Sequence, residues 1–198
     1  MKIVTPMTDQ EEESLYYTFR PGNAEELTRL VREAFAEAVY PGEGDEDLIV
    51  SGYPDCCAEC GETQALFQGK SWREVAESGE PLQNCGWGGL ALLTPKAWRY
   101  YLPAYLNVSL SGGAGAENAL DCALYALTPW APSGLPECYV KSSAQWFTAR
   151  AFDFSAAQLG CLAAITRAAS VSAPEDEDWD ALATYWQSRT AVGTGFRT

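Results

Sequence analysis

The chain contains no histidine among its 198 residues, and this absence narrows its chemistry more than any other feature. Without histidine there can be no Ser-His-Asp triad, no Cys-His dyad and no imidazole ligand for a metal ion. Any catalysis would have to use carboxylate, cysteine, lysine, tyrosine or arginine side chains. The composition therefore excludes several common enzyme mechanisms.

Basic residues are scarce as well, since 13 lysines and arginines stand against 27 aspartates and glutamates, giving a net charge of −14. Residues 1–50 carry −8 and residues 51–90 carry −4, whereas residues 91–150 carry +1. Nucleic acids and anionic membranes are bound by basic surfaces, so we expect neither as a partner. The charge favours a basic protein partner, although acidity also promotes solubility.

Long apolar runs are missing too, because no stretch approaches the roughly 20 residues that span a bilayer. The first residues lack the apolar core of a secretion signal, which predicts a cytoplasmic protein. A hydrophobic content of 47% and seven tryptophans are sufficient for one packed core. We expect an irregular lead-in over residues 1–22, a single α-helical domain over 23–190 and a tail over 191–198.

The spacing of apolar residues predicts a mainly α fold, a single-domain helical bundle with long loops and at most one or two short strands. The first helix is predicted to start at Asn23, with Glu26 at N3 in a variant of the capping box. Its apolar spacing continues to Val39, and Pro41 with Gly42 is expected to stop it.

Capping residues and prolines mark several other elements. Ser71 is predicted to begin a short helix, and Ser155 with Gln158 is predicted to form a capping box. Pro129 is predicted to end a helix that lies between these two. Residues 48–50 could form a short strand, and residues 81–89 are rich in turn formers and predicted to be irregular.

The segment from Leu93 to Leu106 gives the clearest helix signal. Thr94 is a good N-cap, and Pro95 falls at the first helical position, where its missing N–H costs nothing. An apolar stripe at helical spacing follows, and it comprises Trp98, Tyr101, Leu102, Tyr105 and Leu106. Pro103 interrupts the pattern and is predicted to kink or break the helix.

Burial in a core explains this stripe, but a second interpretation stays open. Arg99 and Tyr100 lie on the other face of the predicted helix, where they could form a recognition surface. A kink at Pro103 would open space beside Tyr100 for a pocket.

Three cysteines are candidate metal ligands. Cys57 and Cys60 have the spacing of one zinc knuckle, and Cys85 follows 25 residues later without a second knuckle. No cofactor is expected, and the alternative is zinc, with Cys57, Cys60 and Cys85 as weak candidate ligands. Cys122, Cys138 and Cys161 are predicted to be small buried residues.

Residues 69–71 resemble the end of a phosphate-binding loop, but Gln64 occupies the position that requires glycine. A turn with a solvated lysine is the prediction there.

Two acidic runs differ in their explanation. Residues 175–178 precede a predicted helix, whose dipole favours negative charge. The other run lies in a predicted loop and has no such explanation, so it is the candidate partner-binding surface, formed by Glu43, Asp45, Glu46 and Asp47.

Residues 93–106 resemble the signature L-[ST]-P-x-A-[FW]-R-Y-Y-L-P-A-[FY]-L of an uncharacterised bacterial family of the domain-of-unknown-function type. Lys96 replaces the usual acid of that signature and Trp98 replaces phenylalanine. Shorter similarities lie at residues 57–60, 67–72, 154–158 and 181–186. The resemblance implies a bacterial or phage origin and one domain, and it brings no catalytic residues.

Three functions follow as hypotheses. The first is a non-enzymatic acidic binding protein, an immunity or inhibitor-type protein that neutralises a basic effector. The second is a metal-supported or carboxylate-using enzyme centred on Cys57 and Cys60. The third is a small-ligand-binding module with an aromatic pocket near Trp98 and Tyr100.

Overall fold

The structure, a computed structural model, describes residues 22–42, 44, 48–49, 58–79, 82, 88–113, 115–129, 145, 147–172 and 177–193. These residues are mainly α-helical, which confirms the predicted fold class. The helices are α1 (Ala24–Ala34), α2 (Ala58–Phe67), α3 (Trp72–Ser78), α4 (Gly88–Leu92), α5 (Pro95–Ser111), α6 (Ala116–Leu127), α7 (147–151), α8 (Ala156–Ser172) and α9 (Glu177–Gly193). Within the described ranges β pairing is limited to one antiparallel bridge, between Ile49 and Leu93.

Helix α5 is the centre of the bundle and packs against α1, α3, α4 and α6. Its predicted start is confirmed, because the Thr94 hydroxyl accepts a hydrogen bond from the Ala97 N–H at 3.2 Å and Pro95 follows as the first helical residue. The predicted apolar stripe is buried, and every residue from Tyr100 to Leu110 is buried as well. A helix that is buried on all sides lies inside a core rather than on its surface.

Pro103 does not end α5, which continues to Ser111. Of the two predicted outcomes, a kink or a break, the break is therefore wrong. A proline inside a helix costs about 3 kcal/mol, whereas each large apolar side chain that becomes buried contributes roughly 1.5–3 kcal/mol. Contacts with four neighbouring helices outweigh the lost backbone hydrogen bond, and the Asn107 side-chain amide donates to the Pro103 carbonyl at 2.8 Å.

Helix α1 starts after Asn23 as predicted, but its capping bond and its end differ from the prediction. Asn23 makes no side-chain capping bond, so the predicted capping box is wrong. The helix ends at Ala34 rather than near Pro41, because Phe35 is fully buried and meets the Phe154 ring edge-on at 6.3 Å. Tertiary packing thus turns the chain earlier than the local pattern indicates.

Two predicted capped helix starts agree with the structure. Ser71 and Glu74 form a reciprocal capping box at α3, and Ser155 and Gln158 form one at α8. Helix α6 ends at Leu127, ahead of Pro129. Helix α4 was not predicted, because its first residues fall in the stretch rich in turn formers.

Long side chains from distant helices hold several helix C-termini. The Tyr101 hydroxyl lies 2.7 Å from the carbonyl of Phe67 at the end of α2, and the Trp186 indole N–H donates to the carbonyl of Leu127 at the end of α6, at 3.1 Å. The last carbonyls of a helix lack partners within the helix, so such bonds satisfy groups that would otherwise be buried unpaired.

Two arginines make the same kind of contact. Arg99 on α5 donates to the carbonyls of Ala149 and Arg150 at 3.1 and 3.2 Å, and it lies 3.3 Å from the Asp153 carboxylate. Arg150 in turn reaches back to the end of α4, where it contacts the carbonyls of Leu90, Ala91 and Leu93. Arg99 therefore joins α5 to α7 and is not an exposed recognition residue.

None of the helices in the described part of the chain has both the length and the apolar character needed to cross a membrane.

Candidate functional site

A groove of about 360 Å³ opens between α1, α3 and the C-terminal half of α5. Trp72 and Arg73 line it from the first turn of α3, Arg32 from α1, and Asn107 from α5. The capping box at Ser71 fixes the first turn of α3 and so positions Trp72 and Arg73. Elements distant in sequence thus bring polar and aromatic groups to one cleft.

Two residues that line the groove also carry a buried polar atom without a hydrogen-bond partner, the Trp72 indole nitrogen Nε1 and the Asn107 amide oxygen Oδ1. Trp72 is 2% exposed and Asn107 is 8% exposed. Buried polar groups in folded proteins are nearly always paired. One is a donor and the other an acceptor.

The groove carries positive charge in an acidic protein. Arg32 makes no ion pair with any residue that the structure describes, and the Arg73 guanidinium lies 4.6 Å from the centroid of the Trp72 ring. Among the described residues that line the groove, Glu77 is the one acid. Two arginines and one glutamate give a local charge of +1, against −14 for the whole chain.

The predicted aromatic pocket near Trp98 and Tyr100 lies in a region that is filled by other rings. Trp98 is fully buried and contacts Phe154 at 5.8 Å between ring centroids. Tyr100 is 7% exposed and packs edge-on against Tyr40 at 5.4 Å. Burial raises the pKa of the Tyr100 hydroxyl, so it stays neutral. Burial of Tyr100 therefore corrects the predicted recognition surface there, while the predicted pocket stays a hypothesis.

The predicted acidic surface lies outside the described residues, at Glu43, Asp45, Glu46 and Asp47. Both flanks of this run are described and contact the start of α5. Before it, the Lys96 ammonium donates to the Pro41 carbonyl, and after it the Thr94 N–H donates to the Leu48 carbonyl at 2.8 Å. Leu48 and Ile49 are buried, while Gly44 inside the run is exposed.

The zinc hypothesis stays a prediction, because Cys57 and Cys85 lie outside the described residues. Cys60 is buried on α2. Among the residues that are described, no three Cys, Asp or Glu side chains are grouped closely enough to hold a metal ion.

The segment 69–71 forms the predicted turn. Gly69 has a positive φ of 71°, the Lys70 N–H donates to the Phe67 carbonyl at 3.2 Å, and the Ser71 hydroxyl caps α3. The serine is thus used in a helix cap.

Cys161 on α8 is expected to be inert to thiol reagents in the folded protein. It is fully buried, and burial raises the pKa of its thiol from 9.0 to about 12. The thiolate is the reactive form, so a pulse of iodoacetamide at about pH 8 should leave Cys161 unmodified while the half-buried Cys122 reacts slowly. Peptide mass spectrometry measures both, and the same pulse in urea should label both cysteines.

The raised pKa of Cys161 also predicts the direction of a pH effect. The thiol ionises more easily in the unfolded chain, so its contribution to stability is complete below pH 9.0 and is lost as the pH rises towards about 12. Labelling of native Cys161 as fast as Cys122 would contradict this account.

The groove residues were missed because they are spread over three helices and 76 positions from Arg32 to Asn107. One signal was present in the sequence. Asn107 is a polar residue at the end of an otherwise apolar helix face, and such residues are buried only with a hydrogen-bonding role.

The fold and the groove define a mainly α protein with a polar cleft beside its central helix. Residues 23–190 match the family described as "Family of unknown function (DUF6714)", and the chain belongs to that family. No curated protein and no solved structure matches the chain. The family membership agrees with the resemblance of residues 93–106 and brings no residue roles.

Proposed function

We propose that this protein is a non-enzymatic binding protein that neutralises a basic protein effector, as a bacterial immunity or inhibitor protein does. The observation that carries the proposal is the concentration of acid in the first part of the chain. Residues 1–50 carry −8 and residues 51–90 carry −4, which together account for −12 of the total of −14. A field of one sign steers an oppositely charged partner to the surface that carries it.

The described helices of this region support the proposal, because their acidic side chains are exposed. Glu33 bonds to Arg29 at 2.7 Å, and Glu74 accepts a hydrogen bond from the Ser71 N–H at 2.7 Å in the capping box. The exposed acids on α1, α2 and α3 and in the turn after α1 are Glu25, Glu26, Glu33, Glu37, Glu62, Glu74 and Glu77.

The anchoring of the acidic run supports it further. Pro41 and Leu48 are both hydrogen-bonded to the start of α5, so residues 43–47 connect two fixed points. A segment with fixed ends loses less conformational freedom on binding than a free tail, and this raises the affinity that a given set of contacts provides. We expect Glu43, Asp45, Glu46 and Asp47 to contact basic residues of the partner.

The test compares two variants with equal charge changes. The loop variant neutralises the acidic run by Glu43→Gln, Asp45→Asn, Glu46→Gln and Asp47→Asn. The control variant neutralises four exposed acids of the helical surface by Glu25→Gln, Glu26→Gln, Glu37→Gln and Glu62→Gln. Immobilised wild-type protein is used to recover a basic protein from a lysate of the source cells, and binding of that protein to all three is then measured.

The loop variant is expected to bind at least roughly tenfold more weakly, because each lost charge pair contributes up to about 1 kcal/mol. The control variant should stay within about threefold of the wild type, because it lowers the long-range field by the same four charges but removes none of the proposed contacts. Equal weakening in both variants, or no recovered basic protein, would contradict the proposal.

A further inference from the structure

We propose that Lys96 and Gly42 set the direction in which the chain enters the acidic run, and that they thereby position the run for its basic partner. The inference rests on the proposed function, because it concerns the same segment, residues 43–47. It is based on the contacts that the described residues on either side of this segment make with the start of α5.

The chain after the run is held without the help of any exposed side chain. Leu48 and Ile49 are 0% and 3% exposed. The Leu48 carbonyl accepts a hydrogen bond from the Thr94 N–H at 2.8 Å, and Ile49 forms the antiparallel bridge with Leu93. Buried apolar side chains and backbone hydrogen bonds of this kind separate only when the surrounding core opens. This end of the run is therefore a fixed point.

The chain before the run is held at two successive residues. The Tyr40 ring packs edge-on against Tyr100, with 5.4 Å between the ring centroids, and the Tyr40 hydroxyl accepts from the Gly69 N–H at 2.8 Å. One residue later, the Pro41 carbonyl accepts a hydrogen bond from the exposed Lys96 ammonium. Tyr40 fixes the position of the chain, and the bond to Lys96 fixes the peptide unit that follows.

The peptide unit between Pro41 and Gly42 determines how the run begins. The orientation of a planar peptide unit is set by the torsions on either side of it, ψ of Pro41 and φ of Gly42. Its oxygen is the atom that Lys96 holds, and the φ of Gly42 is 128°. Residues with a side chain seldom adopt such a positive φ, so this orientation requires glycine. Rotation of the unit would break the bond to Lys96 and turn the following residues in another direction.

The charge of Lys96 separates a positioning role from a purely electrostatic one. Replacing Lys96 by a neutral residue changes the net charge from −14 to −15, which on charge alone would favour a basic partner. The positioning role predicts the opposite, because a run whose first peptide unit can rotate loses more conformational freedom when it binds. The two accounts therefore differ in the sign of the effect.

The first experiment measures binding of the recovered basic protein at about 0.1 M salt. Lys96→Met is expected to weaken binding roughly fivefold despite the added negative charge. Lys96→Arg keeps a charged donor and should stay within about twofold of the wild type. Arg167→Met is the matched control, because it removes the same charge from a side chain on α8 that is 58% exposed, and it should bind at least as tightly as the wild type.

Gly42→Ala tests the same peptide unit without a change of charge. Alanine disfavours a φ of 128°, so the unit should rotate away from Lys96 and binding should weaken by a similar factor. The double variant, Lys96→Met with Gly42→Ala, should bind about as weakly as either single variant, because both changes release the same unit.

A protease that cleaves after glutamate tests the anchor in the absence of the partner. Cleavage after Glu43 and Glu46 should be at least roughly threefold faster in Lys96→Met and in Gly42→Ala than in the wild type, because a segment that is less firmly held enters a protease cleft more readily. Arg167→Met should be cleaved at the wild-type rate, and circular dichroism verifies that each variant is folded.

The inference is overturned if Lys96→Met binds the partner as tightly as the wild type, or more tightly. It is also overturned if Lys96→Arg is as weak as Lys96→Met, if the losses in the double variant add fully, or if neither single variant is cleaved faster after Glu43. All of these results leave the acidic run as the binding surface. Failure to recover any basic protein contradicts the proposed function, and this inference with it.

Discussion

Replacing Arg150 by methionine is expected to lower the free energy of unfolding by about 3 kcal/mol or more. Arg150 is 7% exposed, and its guanidinium contacts the carbonyls of Leu90, Ala91 and Leu93 at 3.4, 2.8 and 3.1 Å. Burial lowers the pKa of this guanidinium to about 9, which leaves it charged at neutral pH. Methionine fills similar space but leaves the three carbonyls at the end of α4 without their donor.

Urea unfolding followed by circular dichroism measures this loss. Arg167→Met is the matched control, because the Arg167 side chain is 58% exposed and pairs with Asp180 at only 3.7 Å. Surface ion pairs contribute at most about 1 kcal/mol, so the control should change stability little. Equal losses in the two variants would show that Arg150 does not hold the end of α4 as described.

Trp98→Ala is expected to lower the free energy of unfolding by about 3–5 kcal/mol, the usual effect of removing a large aromatic ring from a core. Trp98 is fully buried, packs against Phe154 at 5.8 Å and lies under the Arg150 guanidinium at 5.7 Å. Its loss would leave a cavity beside α5, the helix against which α1, α3, α4 and α6 pack.

Trp98→Phe separates the volume of the ring from its polar atom. The indole N–H of Trp98 has no hydrogen-bond partner, so phenylalanine removes no hydrogen bond and reduces the cavity. We expect a loss of roughly half that of the alanine variant. The same urea measurement compares the two, and a loss below about 1 kcal/mol for Trp98→Ala would contradict the central position of this ring.

Local signals predicted those parts of the fold that local chemistry determines. Thr94 and Pro95 start α5, and Ser155 starts α8, because a cap needs only residues within one turn. The end of α1 depends instead on Phe35, whose burial against Phe154 involves a residue more than a hundred positions away. The spacing of apolar residues along the sequence cannot reveal that contact.

Helix α4 and the groove were beyond prediction for the same reason. Five residues are too few for a periodic pattern, and the C-terminus of α4 is held by Arg150, about 60 positions later. The groove joins Arg32, Trp72 and Asn107, which lie on three helices far apart in the sequence, so no local pattern brings them together. The acidic run could be found in the sequence, because charge follows directly from the residue types.

The salt dependence of binding tests the central claim, that an anchored acidic run recognises a basic protein. The affinity of the recovered partner is measured at about 0.1 M and about 1 M salt, between which the Debye length falls from about 10 Å to about 3 Å. We predict that wild-type binding weakens at least roughly tenfold, and that neutralising Glu43, Asp45, Glu46 and Asp47 removes most of this dependence. Binding that is equally strong at both salt concentrations, or equally salt-dependent in the loop variant, would contradict the proposed function.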